Sequence, residues 1–249
     1  MTLEEYINNP MGSSVVANQR EMYKAYYTKK YDALMVRENG KIEYKLYKSK
    51  KEDTYVVYLK IPSETVADFY YDVVIEFKSK NASKLSNLEK YDIRVFSNDP
   101  SFVFTFAYAF NKDKMFITEL SSKMSKKALT DKAKEKNPQA LIGYVKSLYF
   151  AYLYMKKVGL VSKLRYAGAE ELNYNKLSKE IIHADEKISL REEEQEKKKR
   201  KKKTETHKNT VTKSLLNNPF VKTANVIKTN TISNVNKIVS KTKSVKKIK

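Results

Sequence analysis

Residues 41–61 read KIEYKLYKSKKEDTYVVYLKI. From Ile42 to Leu46, apolar and charged side chains alternate, and this period of two is typical of a β-strand. The polar residues 50–53 then lead into the mostly apolar run 54–61. Two such runs joined by four polar residues predict a β-hairpin.

Two more segments, 70–78 and 91–97, are rich in Val, Ile, Tyr and Phe, which favour strands. With the hairpin they predict one antiparallel sheet of about four strands. We therefore expect an α+β fold, in which this small sheet packs with several helices and is followed by a charged helix and an extended basic tail.

The helices are predicted from apolar spacing and from end signals. Thr2 and Glu5 have the spacing of a capping box. Gly40 and Gly159 follow apolar stripes and are expected to end the helices that those stripes form. The predicted helical segments are 2–7, 18–37 and 137–157.

Another helix-start signal is Asn98-Asp99-Pro100, with a side-chain acceptor at the N-cap and proline at the first helical position. The residues that follow alternate large and small, so a strand stays open as an alternative. Five large aromatic residues in this run need burial, either in the core or at an oligomer interface. They are Phe102, Phe104, Phe106, Tyr108 and Phe110.

The positive charge is concentrated near the C-terminus. Residues 1–196 contain 33 Lys and Arg against 28 Asp and Glu, a net charge of +5, whereas residues 197–249 contain 17 against 1, a net charge of +16. Lysine lacks the planar fork with which arginine recognises bases and phosphates, so nucleic-acid binding here is expected to be non-specific. Of the 50 basic residues 44 are Lys and six are Arg. This bias towards lysine is also typical of a very AT-rich genome, and codon drift stays open as a source of part of the charge.

The composition predicts three segments: a globular α+β domain at 1–167, a charged helical segment at 168–203 and a basic extended tail at 204–249. The tail is too polar to form a core by itself and is expected to be disordered unless it is bound to a partner. Its regularly spaced apolar residues suggest such binding: Leu215, Leu216, Phe220, Val226, Ile227, Ile232, Val235, Ile238 and Val239.

Composition and motifs disfavour most enzyme classes. The chain has no Cys, and its two histidines, His183 and His207, lie in charged stretches where we expect solvated surface residues. Five glycines leave little room for a dinucleotide or phosphate loop. We expect no enzyme activity, no cofactor and no metal. We also expect no membrane association, because the most apolar run, 147–155, is far shorter than the roughly 20 residues of a bilayer span.

One enzyme-like pattern remains as an alternative. The segment VVIEFK at 73–78 resembles the core motif of PD-(D/E)xK nucleases, in which a strand places an acid on a divalent metal and a lysine beside the phosphate. The resemblance implies roles for Glu76 and Lys78, with Asp53 as the upstream acid and Glu21 as a helper. The competing interpretation is a charge pair on the surface of a sheet.

A second resemblance covers about residues 1–160. The segments MTLEEY at 1–6, NPMG at 9–12, NDPSFV at 98–103 and KSLYFAY at 146–152 are similar to proteins of AT-rich tailed phages, in particular the crAss-like phages. The resemblance implies a structural protein of the virion, made in the host cytoplasm before assembly. A portal-associated or neck ring subunit, or a capsid accessory subunit, would fit it.

These observations lead to a functional expectation. We expect a non-enzymatic virion protein that forms a homo-oligomer and contacts other phage structural proteins such as portal or capsid. Its basic tail would bind neighbouring subunits or, non-specifically, double-stranded DNA. An independent non-specific DNA-binding protein acting during infection is the alternative. The predicted binding residues are Lys197, Lys198, Lys199, Arg200, Lys201, Lys202, Lys203, Lys243, Lys246 and Lys247.

Overall fold

The computed structural model describes residues 1–8, 17–79 and 87–216, with only the backbone described at 17–20 and 201–216. The α-helices are α1 (Leu3–Asn8), α2 (Ala17–Arg37), α3 (Ala107–Lys112), α4 (Lys126–Thr130), α5 (Lys146–Val158), α6 (Tyr174–Glu180) and α7 (Ala184–Leu216). The strands are β1 (Glu43–Lys48), β2 (Thr54–Pro62), β3 (Tyr70–Lys78), β4 (Asp92–Ser97) and β5 (Glu170–Glu171). Short 3-10 helices lie at Leu88–Lys90, Thr118–Lys123 and Lys163–Tyr166, and a π-helix at Phe102–Phe106.

The strands form one sheet in the order β4-β3-β2-β1-β5. Strands β1 to β4 are antiparallel neighbours, which confirms the predicted hairpin and the two further strands. The fifth strand corrects the expectation of a purely antiparallel sheet, because β5 pairs with β1 in parallel. Two residues are too few to show any periodicity, so β5 could not be predicted from its pattern. The predicted α+β class is confirmed.

Helices cover both faces of the sheet. Ser147 of α5 lies 3.2 Å from Ser97 of β4, Oγ to Oγ, on one face. Tyr174 of α6 donates to Glu76 of β3 on the other face. Strands β2 and β3 are therefore buried along almost their whole length. Burial on both faces explains why their apolar residues run nearly without interruption.

The predicted helix ends of α1 and α2 are confirmed. In α1 the Thr2 hydroxyl accepts from the N–H of Glu5 at 3.2 Å, and the Glu5 carboxylate accepts from the N–H of Thr2 at 2.7 Å, as in a capping box. Gly40, after α2, has a φ of +73°, in the left-handed region that an L side chain disfavours.

The segment after β4 is helical, so the strand alternative for its aromatic residues is wrong. Asp99 Oδ1 accepts from the N–H of Ser101 at 2.8 Å, which is the predicted N-cap. The chain then passes through the π-helix into α3. Of the five aromatic residues, Phe102 and Phe110 are fully buried, whereas Phe104 is 56% exposed. Core packing is the main use of this run.

The helix predicted at 137–157 begins only at Lys146. Asn137 does not cap a helix: its Oδ1 accepts from the N–H of Leu141 at 3.0 Å, and its Nδ2 donates to the carbonyl of Thr105 at 3.1 Å. Ala140 has a φ of +52°, which a helix cannot contain. The predicted end is confirmed, because Gly159 is the left-handed C-cap of α5.

Helix α7 begins at Ala184 and continues to Leu216, whereas the sequence predicts a charged helix at 168–203. Residues 168–183 contain β5 and α6 instead, because Leu177 and Ile181 are buried in the core. Residues 204–216, expected to begin the extended tail, are helical, and the rest of that tail lies outside the described residues.

By internal contacts the chain divides into the units Met1–Glu193 and Glu194–Lys249. The first unit thus extends beyond residue 167, where the sequence places the end of the globular domain. Within the described ranges, every helix is too short or too polar to span a lipid bilayer.

Candidate functional site

The predicted basic run lies on helix α7. It occupies seven consecutive helical positions: Lys197, Lys198, Lys199, Arg200, Lys201, Lys202 and Lys203. Successive helical residues are rotated by about 100° and rise by about 1.5 Å, so seven of them surround the axis over about 10 Å. We call this run the basic collar. Every one of its positions carries a formal positive charge.

Two ion pairs join the basic collar to neighbouring acids. Lys197 lies 2.7 Å from Glu194, and Arg200 lies 3.3 Å from Glu196, each within the helix. The four side chains are 43–82% exposed, and ion pairs this exposed are worth little. A polyanion can therefore replace these carboxylates at small cost.

The other residues singled out near the C-terminus are less informative. Lys243, Lys246 and Lys247 lie outside the described residues. His183 accepts from the N–H of Asp185 at 3.2 Å through Nδ1, at the beginning of α7, and its side chain is 36% exposed. His207 lies on α7, where only the backbone is described. His183 therefore has a local capping role.

Glu76, the first acid of the nuclease hypothesis, is 1% exposed. Arg94 lies directly opposite on β4 and donates two hydrogen bonds to its carboxylate, at 2.6 and 2.8 Å. The Tyr174 hydroxyl also donates to Glu76. Burial opposes the charge of the guanidinium, but the hydrogen bonds that Arg94 donates to Glu76 and Glu119 outweigh it and raise the pKa of Arg94. Both oxygens of Glu76 are thus occupied by protein partners.

The other residues of the nuclease hypothesis are separated from Glu76. Asp53 lies at the end of the hairpin turn. It precedes the residue opposite Glu76 by three positions, and three positions span about 10 Å along a strand. Its carboxylate accepts from the Tyr91 hydroxyl at 2.5 Å and pairs with Lys163 at 3.1 Å. Burial favours the neutral carboxyl group, but the hydrogen bonds from Tyr91 and Lys163 outweigh it and hold the pKa of Asp53 below its ordinary value.

Lys78 pairs with Glu52 at 2.6 Å on the exposed end of the hairpin. Glu21 lies on α2, where Lys24 is its ion-pair partner at 3.5 Å. The structure therefore gathers none of the proposed acids around one metal position. Within the described part of the chain, no group of three or more His, Asp or Glu side chains is placed to hold a metal ion.

A cavity of about 570 Å³ is a feature that the sequence analysis missed. We call it the tyrosine cleft, because five of its lining residues are tyrosines: Tyr23, Tyr26, Tyr27, Tyr71 and Tyr144. Four of these rings contact one another, with the centroids of Tyr23 and Tyr27 6.3 Å apart, those of Tyr26 and Tyr27 5.5 Å apart and those of Tyr27 and Tyr144 6.4 Å apart. Tyr23 and Tyr26 are about half exposed at the mouth. Their spacing along α2, at i, i+3 and i+4, was the available signal.

Charged groups complete the tyrosine cleft. Glu64 pairs with Lys30 at 2.6 Å and with Lys146 at 3.1 Å. Burial opposes its charge, but the two lysines hold the pKa of Glu64 below its ordinary value. Asp99 is 5% exposed, and its Oδ2 has no hydrogen-bond partner, nor has Nε of Arg191, which also lines the cleft.

No protein-family model, curated protein or solved structure matches the chain. The functional proposal therefore depends on the charge, the geometry and the sequence resemblances described above.

Proposed function

We propose that this protein is a non-enzymatic structural component of a tailed-phage virion, either a portal-associated or neck ring subunit or a capsid accessory subunit. In this proposal the first unit, Met1–Glu193, which we call the folded unit, packs into a homo-oligomer beside other phage structural proteins. The basic C-terminal region binds DNA or neighbouring subunits.

The basic collar supports this proposal most directly. Its seven charges occupy about 10 Å of helix. Double-stranded DNA has one phosphate charge per roughly 1.7 Å of its axis, so the two charge densities are comparable. Binding of this kind neutralises phosphates without reading base sequence, which suits a contact with a packaged genome.

A charge substitution in the full chain tests the polyanion contact. In the collar variant, all seven residues of the collar are replaced by glutamine, which is also a good helix former. The control variant has seven exposed lysines of the folded unit replaced in the same way: Lys29, Lys112, Lys114, Lys126, Lys127, Lys132 and Lys134.

Affinity for a 30-base-pair duplex is measured from 50 to 200 mM salt. Each phosphate contact contributes about 0.9 to the slope of log affinity against log salt, so the collar variant should lose about six units of slope. The control variant should keep the slope of the unmodified chain. Equal slopes in all three proteins would contradict a role for the basic collar.

Cryo-electron microscopy of purified particles tests the virion assignment. The proposal expects copies of the folded unit in a symmetric ring or on the capsid surface. A protein that binds DNA only during infection would be found in the lysate, bound to DNA and missing from purified particles. That result would favour the alternative of an independent DNA-binding protein, which the same basic collar supports.

The nuclease alternative has less support from the contacts of its residues. It predicts that Glu76→Ala abolishes a magnesium-dependent cleavage. Glu76 is bound by Arg94 and Tyr174, and Lys78 by Glu52, so a metal would have to displace these partners.

A further inference from the structure

The tyrosine cleft has a buried carboxylate oxygen without a partner. Two other buried acids of the described chain are satisfied: Asp72 accepts from the Tyr58 hydroxyl and from Asn98 Nδ2, each at 2.7 Å, and Glu76 is bound as described. Asp99 uses only Oδ1, in its N-cap. A buried charged oxygen without a hydrogen bond is costly, so a donor that reached Asp99 Oδ2 from the cleft would be stabilising.

The cleft also has a buried donor without a partner, Nε of Arg191. An occupant that satisfies both Arg191 and Asp99 must therefore bring an N–H group and an oxygen acceptor. The main chain of a polypeptide offers both at nearly every residue. Grooves lined by aromatic rings are a common way of binding polypeptide segments, because the rings pack against the segment while polar groups orient it.

The charges of the cleft favour a segment of low charge. Glu64 and Asp99 face Lys136, Lys146 and Arg191, a net charge of only +1. In the C-terminal part of this chain, residues 217–236 carry little charge. Their only charged side chains are Lys222 and Lys228, and they include the apolar Phe220, Val226, Ile227, Ile232 and Val235.

We propose that the tyrosine cleft binds residues 217–236 of a second copy of this chain. The inference rests on the proposed function, since it specifies how one subunit holds its neighbour. One segment for each cleft gives a head-to-tail contact that can close into a ring. The basic collar stays available for a polyanion.

Photo-crosslinking of the full chain tests this contact. In one variant p-benzoylphenylalanine replaces Tyr26, at the mouth of the cleft, and copies with two different tags are mixed before irradiation. We expect a dimer-sized product that contains both tags and is joined to residues 217–236, identified by mass spectrometry. The matched control has p-benzoylphenylalanine in place of Tyr44, which is 43% exposed but outside the cleft, and should give no such product.

Asp99→Asn tests the role of the free oxygen. Asparagine is as good an N-cap as aspartate, so the helix start is preserved, while Oδ2 is replaced by a donor. Loss of a hydrogen bond to a charged group should lower the yield of the dimer-sized product roughly tenfold. The melting temperature of Asp99→Asn confirms that it is folded.

Three results would overturn the proposal: an unchanged yield in Asp99→Asn, products of monomer size only, or a product joined to another segment. A cleft occupied only by ordered water would give no dimer-sized product. The yield should change less than about twofold between 50 and 500 mM salt, because the contact is nearly uncharged. DNA affinity is steeply salt-dependent, so failure of this contact and failure of DNA binding can be distinguished.

Discussion

Glu76→Gln removes a buried charge from β3 and preserves the size of the side chain. The carboxylate is 1% exposed and has hydrogen bonds from Arg94 at 2.6 and 2.8 Å. Breaking a buried ion pair by neutralising one partner typically costs about 3–5 kcal/mol, because the other charge is left uncompensated. Arg94 is 24% exposed and keeps Glu119 at 2.9 Å, so we expect a smaller loss of about 2–3 kcal/mol in the free energy of unfolding.

Urea unfolding followed by circular dichroism measures this loss, and thermal unfolding should show a melting temperature lower by about 4–12 °C. The matched control is Glu43→Gln. Glu43 also forms a cross-strand pair, with Lys60 at 2.8 Å, but it is 75% exposed. Substitution at such an exposed site should change the unfolding free energy by less than about 0.5 kcal/mol.

Unchanged or increased stability of Glu76→Gln would refute this reasoning. Acids gathered around a metal position repel one another when the metal is missing, and neutralising one of them commonly stabilises a protein at the expense of activity. An increase would therefore favour the nuclease hypothesis, and magnesium-dependent cleavage would be the next assay.

Two further perturbations test the packing and the charges around the tyrosine cleft. In Gly143→Ala the new Cβ would lie 2.4 Å from Cε1 of Phe106, so urea unfolding should show a loss of about 1–3 kcal/mol. Phe106→Leu in the same chain should recover part of that loss, and no recovery would contradict the steric cause. The pKa of Glu64 is lowered from 4.5, so its contribution to stability is complete above pH 4.5 and is lost as the pH falls through the lower folded value. Glu64→Gln should flatten this acid limb in urea titrations at several pH values, and an identical limb would count against the Lys30 and Lys146 pairs.

Local sequence patterns predicted the elements whose cause is local. The alternation around Ile42 and the polar turn after Lys48 define the first hairpin, because strand period and turn composition act within a few residues. Three helix ends were predicted in the same way, from residues that satisfy or redirect backbone groups of their own turn. These residues are Thr2 with Glu5, Asp99 with Pro100, and Gly159.

Patterns failed where a distant contact competes with the local preference. The Asn137-Pro138 signal resembles that of Asp99-Pro100, but the Asn137 side chain is bonded to Leu141 and to Thr105 across the fold, so the helix begins nine residues later. Strand β5 exists only because the edge of β1 offers it a partner.

The candidate sites also differ in how far they could be predicted from the sequence. The basic collar could be predicted from composition, because seven consecutive basic residues are charged in any conformation. The partner of Glu76 could not be predicted from composition, since Arg94 lies 18 residues away and only the strand register places Arg94 opposite Glu76. The tyrosine cleft combines residues as distant as Tyr23 and Arg191, and no local pattern relates them.

The sequence by itself determined the α+β class, the hairpin, the ends of α1 and α2, the end of α5 and the position of the excess charge, because these depend on side-chain period, backbone preference and formal charge within short segments. Only the tertiary structure decided which acids are neutralised, where α5 begins and that Asp99 and Arg191 share one cleft. Those outcomes depend on burial and on pairs far apart in the chain, where the free energy of a buried polar group outweighs local propensity.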